Sequence, residues 1–233
     1  MNTRYDLLLC DADDTLFDFG RAEENAFADA CARMGLEATD ALLATYSDIN
    51  AALWRLLEQG GITQAVLRVR RFEQFLEKIG RSDLDAQTMA TAFTDSLGRQ
   101  SVPIDGAVEA VARWSRIVPV IIVTNGIARV QHGRMDASEV RHYIRGMVVS
   151  EEVGAAKPDP KMIEIGMEMA DVRDRSRVLM LGDSLSSDIA AAANAGVDAC
   201  WYNPKGKENA KGLPVRYEIR KLDDVDAILR GED

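Results

Sequence analysis

The stretch "LLLCDADDTLFDF", residues 7–19, decides how the chain is read. Leu7 to Cys10 form an unbroken apolar run, the pattern of a strand buried on both faces. Asp11, Asp13 and Asp14 follow within four positions, and the chain is apolar again at Leu16. A buried strand that ends in carboxylates sets charge at the margin of the core, where each group needs a partner, a cation or a proton. Residues 5–12 are read as the first strand, and the acidic cluster as the start of a site.

Outward from this strand the pattern changes twice. From about residue 20 to 98 it is helical. The segments are "GRAEENAFADACARMGL" closing at Gly35, "TDALLATYSDINAALWRLLEQGG" stopping at Gly60 and Gly61, "TQAVLRVRRFEQFLEKIG" opening on Thr63 as N-cap, and "LDAQTMATAFTDSLGRQ". In the third, Val66, Val69, Phe72, Phe75, Leu76 and Ile79 are expected on one inward face. After Pro103 strands alternate with helices. "VPVIIVT" (118–124), "MVVS" (147–150), "RVLMLG" (177–182) and "DACWYN" read as strands; "DPKMIEIGMEMADV" and "SDIAAAANAG" read as helices. This alternation specifies an α/β protein, a doubly wound parallel sheet of Rossmann type with an inserted all-helical cap. The expected division is 1–16 and 100–233 for the core and 17–99 for the cap.

The 47% apolar content is that of a globular chain, and the net charge of −10 argues against a surface for polymeric nucleic acid or anionic membrane. A small anionic ligand needs only one local positive site and stays open. Cys10, Cys31 and Cys200 have no metal-type spacing and read as packed free thiols of a reducing cytoplasm. "LLLC" is shorter than a signal h-region and follows Asp6, so a soluble, cytoplasmic monomer or homodimer is expected.

In a doubly wound sheet, ligands bind beyond the carboxyl ends of the strands. Asp11 and Asp13 follow the first strand, Thr124, Asn125 and Gly126 the second, and Gly182, Asp183 and Ser184 the strand at 177. Lys157 lies in "GAAKPDP" after the strand at 147. Alternate residues of an extended chain face the same way, so Asp11 and Asp13 address one group. Asp11, nearer the strand, is the nucleophile candidate, and Asp13 the general acid and base. Asp183 and Asp188 add two charges. Carboxylates near 4 Å apart repel by about 4 kcal/mol per pair at an effective dielectric of 20, so the cluster calls for a cation, and hard oxygens select magnesium. Lys157 supplies fixed positive charge, Thr124 a hydroxyl, and the turn at Asn125 and Gly126 amides that cradle phosphate oxygens. These parts make a phosphatase working through an aspartyl phosphate.

At these residues the chain resembles the haloacid dehalogenase-like hydrolase superfamily. Its four motifs are matched by "DADDT" at 11–15, "TN" at 124–125, Lys157, and "GDSLSSD" at 182–188. The resemblance implies that Asp11 and Asp183 bind magnesium through their side chains and Asp13 through its carbonyl. It also implies that Asp188, beside Ser184, orients Lys157 and the metal-bound water. Through "DADDTLFDF", "LWRLLEQGGIT", Arg71-Phe72, "VTNG" and "SEEVGAAKPDPKMIE" the chain is similar to the pyrimidine 5'-nucleotidase branch, which implies nucleoside monophosphates as substrates. Trp54 and Phe72 are then candidates to stack on a base, with Arg71 reaching a base or sugar oxygen. Phe17 and Phe19 flank the cap hinge. A phosphoglycolate or sugar-phosphate phosphatase shares the whole catalytic set. A haloacid dehalogenase needs neither Asp13 nor the acidic 183–188 segment. No G-x-G-x-x-G follows the first strand, which argues against a nicotinamide site. His132 and His142 lie outside every motif.

Overall fold

A computed structural model describes residues 3–232. In chain order it contains β1 (Leu7–Cys10), then helices α1 (Phe19–Arg33), α2 (Asp40–Glu58), α3 (Gln64–Lys78) and α4 (Ala86–Leu97). After these come α5 (Ala107–Trp114), β2 (Val120–Thr124), α6 (Ala128–Asp136), β3 (Gly146–Val149), α7 (Ser150–Val153) and α8 (Lys161–Ala170). The chain ends with β4 (Val178–Gly182), α9 (Ala190–Ala195), β5 (Asp198–Tyr202), β6 (Tyr217–Ile219) and α10 (Val225–Arg230).

The six strands form one sheet in the order β3-β2-β1-β4-β5-β6, parallel throughout. Helices cover both of its faces, which is why β1 is apolar at every position. Leu7 and Leu9 pack with Ile121, Val123 and Met180 against α8 and α9. Leu8 and Cys10 pack with Ile122 and Leu181 against α5 and α10. Full burial of such side chains contributes about 1.5–3 kcal/mol each, so the strand is held in register from both sides. Cys10, Cys31 and Cys200 are buried and unpaired. No helix among the described residues is long and apolar enough to cross a membrane.

Helices α1–α4 have their own core. Tyr46 stacks between Phe27 (4.9 Å) and Phe72 (5.4 Å), with Phe75 and Phe93 edge-on or tilted around it. Thr63 caps α3 as the sequence predicts, its hydroxyl accepting from the Val66 N–H. The inward stripe of α3 differs from the expected one. Leu67, Arg71, Phe72, Phe75 and Leu76 are buried, whereas Val66 is 44% exposed. The helix is turned so that Arg71 faces inward, its Nη1 donating to Asn50 Oδ1 at 3.3 Å and its guanidinium lying 4.4 Å from the Phe93 ring centre. A charged residue on the inner face defeats an apolar-periodicity reading. The linkers into and out of this helical unit run side by side. Asp18 N–H donates to Val102 O at 2.9 Å, and Ile104 N–H to Leu16 O at 2.8 Å.

The strand order locates the site. From β1 the chain builds outward through β2 and β3, then crosses back to β4 on the other side of β1. Loops leaving β1 and β4 diverge at this switch, and a crevice opens beyond the carboxyl ends of both.

Candidate active site

Asp11 sits at the crevice floor. Its N–H donates to Leu181 O at 2.9 Å, carrying the β1–β4 ladder one residue past the strand and fixing the carboxylate above it. Lys157 reaches this carboxylate from the loop between α7 and α8. Its ammonium donates to Asp11 Oδ1 at 2.5 Å, Val123 O at 2.6 Å and Asp188 Oδ1 at 2.7 Å. Three acceptors match its three N–H bonds, the condition for leaving a lysine 1% exposed. Burial alone depresses its pKa, but Asp11 and Asp188 more than offset this and hold it above its ordinary value. The Asn125 side chain pins the same loop. Its Oδ1 accepts from Lys157 N–H at 2.7 Å, and its Nδ2 donates to Lys157 O at 2.8 Å.

Asp188 completes the floor. Its other oxygen accepts from the Ser184 N–H at 3.0 Å, and it lies against the backbone of Gly182. A Cβ on Gly182 would stand 2.2 Å from Asp188 Oδ2, so only glycine ends β4 here. Carboxylate oxygens of Asp11, Asp183 and Asp188 all fall within 4.8 Å of one another. Burial pushes the Asp11 carboxyl well above its ordinary value; Lys157 pulls it back, while Asp188 and Asp13 push it up. Asp183 is pushed up to about 7, by burial first and then by Asp188 and Asp14. Three crowded hard oxygens with too little positive charge fit a small divalent cation such as magnesium, which would be held by Asp11 and Asp183.

Asp11, Asp13, Thr124, Asn125, Gly126, Lys157, Asp183, Ser184 and Asp188 line one cavity of about 300 Å³, roofed by Trp54, Arg71 and Phe19. Four chain segments separated by up to 177 positions in the sequence thus meet, as the strand-end argument requires. Two expectations need correction. Phe72 is wholly buried between Tyr46 and Phe93 (5.3 Å) and does not face the cavity, because the aromatic core of the helical unit claims it. The Gly126 N–H is turned onto the Thr124 hydroxyl at 3.2 Å rather than left free. Arg71, 2% exposed, is a buried cation that lines the cavity. His132 pairs with Glu152 on the surface.

Two residues at the site escape sequence reasoning. Gln131 and Arg134, on α6, both donate to the Asp13 carboxylate. Their spacing of three puts them on one helix face, which is the available signal. It is masked because "ARVQHGRMD" reads as a polar surface helix.

A family model described as haloacid dehalogenase-like hydrolase matches residues 5–196, most of the chain. The chain belongs to the haloacid dehalogenase-like hydrolases. Within that family it is similar to pyrimidine 5'-nucleotidase YjjG of Escherichia coli, at 32% identity over 97% of this chain and 98% of that one. Pyrimidine 5'-nucleotidase PynA of Streptococcus pneumoniae is also 32% identical, over 95% of this chain and 93% of its own length. Among solved structures, the HAD-hydrolase YfnB of Bacillus subtilis, bound to magnesium and described as revealing interdomain movement, superposes with a TM-score of 0.90. It is 32% identical and covers 97% of this chain and 99% of that one. The doubly wound core with its helical cap is therefore the family's architecture, and the chain is a hydrolase.

Proposed function

We propose that this hydrolase is a magnesium-dependent phosphomonoesterase acting through an aspartyl phosphate on Asp11, with pyrimidine nucleoside monophosphates as substrates. The observation that carries the chemistry is the buried Lys157 ammonium bridging Asp11 and Asp188 where three carboxylates converge. An Asp11 oxygen attacks phosphorus in line with the ester oxygen, whose bond breaks as Asp13 delivers a proton to it. Water then attacks the phosphorylated Asp11, Asp13 takes its proton, and the acyl-phosphate P–O bond breaks to free phosphate. Lys157 offsets charge on the transferring group throughout, and Thr124 with the 124–126 turn holds its oxygens. Asp11, Asp183 and the Asp13 carbonyl, with Asp188 behind them, would hold magnesium, which would supply electrostatic stabilisation of that group.

Residues 17–99 act in this reading as a cap over a core of residues 1–16 and 100–233. The substrate preference rests on the cavity roof and on the two nucleotidase relatives. Arg71 Nε and Nη2 are buried without a partner in the protein. Unpaired buried donors call for a ligand acceptor, and this edge of a guanidinium takes one bidentately. Glu23, which accepts from Asn50 Nδ2 at 2.7 Å, feels the Arg71 charge through space, so a neutral carbonyl such as a pyrimidine oxygen suits the open edge. Trp54 offers a face for stacking.

A panel of UMP, dUMP, dTMP, phosphoglycolate, a sugar phosphate and chloroacetate, each with and without magnesium, tests the reading. Magnesium-dependent turnover led by the nucleotides is expected. Preference for phosphoglycolate would move the substrate class, and metal-free turnover of chloroacetate would overturn the chemistry.

A further inference from the structure

The Asp13 carboxylate is gripped on both oxygens. Gln131 Nε2 donates to Oδ2 at 2.8 Å, and Arg134 Nη1 donates to Oδ1. Neither donor is a mobile surface group, since Gln131 is 3% exposed and Arg134 not at all. Taking a guanidinium out of water costs several kcal/mol before its partners repay it, and Asp13 is its ion-pair partner. The rest of Arg134 is tied to the linkers of the helical unit. Its Nε donates to Gln100 O at 3.1 Å, and the group lies 5.2 Å from the Phe17 ring centre and 5.9 Å from that of Phe19. Gln131 lies so close to the turn after β2 that a Cβ on Gly126 would stand 2.1 Å from its Nε2. Asp13 is therefore oriented by two donors that cannot easily move.

This grip fixes the direction in which Asp13 faces the reacting group. A carboxylate offers about four lone-pair sites over its two oxygens, so one donor on each oxygen still leaves a lone pair to take up a proton. We propose that Arg134 and Gln131 are positioning residues that aim Asp13 in its proton transfers. They hold ionised Asp13 where it takes a proton from the water that attacks phosphorylated Asp11. In that step the new P–O bond forms to the water oxygen, the P–O bond to Asp11 breaks with its electron pair returning to the Asp11 carboxylate, and the water proton goes to Asp13. The inference rests on the aspartyl-phosphate reading above.

The test uses p-nitrophenyl phosphate with magnesium, because its leaving group departs without a proton. In Gln131→Leu and Arg134→Gln, kcat is expected to fall about 10–100-fold, within the range of acid–base contributions, while KM falls in proportion and kcat/KM is nearly unchanged. Rapid quench should show a burst of p-nitrophenolate and an accumulated phosphoenzyme, and Arg134→Lys should restore part of kcat. A fall in kcat/KM as large as that in kcat, with no burst, would overturn the positioning role. Gln131→Leu decides the question if Arg134→Gln does not fold. Asp13→Asn separates the two claims. If it accumulates phosphoenzyme and the α6 variants do not, only the positioning role is lost; if it turns over normally without phosphoenzyme, the covalent reading fails as well.

Discussion

Lys157 and Asp11 are expected to have opposite consequences when changed, because one is the charge that makes the nest possible and the other is the proposed nucleophile. Lys157→Ala leaves Asp11 and Asp188 buried without their cation, a type of change that costs about 3–5 kcal/mol. Denaturant unfolding should show a loss of that size in metal-free protein. Asp11→Asn keeps Lys157 paired with Asp188 and should retain native circular dichroism, yet lower turnover by a factor on the order of 10⁴ or more. Asp183 adds a pH dependence. Its folded pKa of about 7 lies above the ordinary carboxylate value, so the folded protein binds more protons than the unfolded chain between about pH 4 and 7. Stability of the metal-free protein should then be fullest below that window and decline as pH rises through 7. Magnesium, by stabilising the ionised carboxylates, should raise Tm more at pH 7.5 than at pH 5. Equal shifts at both values would remove Asp183 from the metal site.

Among the elements, α6 and α2 both carry residues that reach the cavity. The turn before α6 carries Thr124–Gly126, and within the first two turns of the helix Gln131 and Arg134 meet Asp13, so in the proposed reading one element serves the phosphate and the acid/base together. Helix α2 presents Trp54 to the cavity. Trp54→Ala should raise KM for UMP about tenfold, as a lost aromatic stacking contact of 1–3 kcal/mol per base requires, and change that for p-nitrophenyl phosphate much less. Equal effects on both would reduce Trp54 to packing. The same elements mark how far sequence patterns carry. β1, β2 and β4 are legible because burial on both faces forces unbroken apolar runs. β6, three residues long, is too short to show a period. Phe72 looks as available for stacking as Trp54, but it is spent on the aromatic cluster with Tyr46 and Phe93.

Across the whole molecule, the helical unit is fastened to the core beside the cavity. Gln64, at the start of α3, donates to Asn125 O at 2.8 Å and Ser150 Oγ at 3.0 Å. Arg68 and Glu151 pair nearby at 3.4 Å, a half-exposed contact of small worth. Losing the Gln64 bonds removes about 1 kcal/mol, so Gln64→Ala should weaken the docking of the helical unit on the core roughly fivefold. KM for nucleotides should rise by that factor with the Tm of the protein little changed, and an unaltered KM would show that the bonds do not bear on substrate binding. By itself the sequence determined the layered fold and the identity of Asp11, Lys157, Asp183 and Asp188 as a converging set, because strand periodicity is local and strand ends in such a sheet point to one crevice. Only the tertiary structure decided that Arg134 meets Asp13 and that Phe72 turns away from the cavity. A side chain's partner depends on how its helix is rotated against elements distant in sequence, 121 residues in the case of Arg134 and Asp13, and no local pattern encodes that angle.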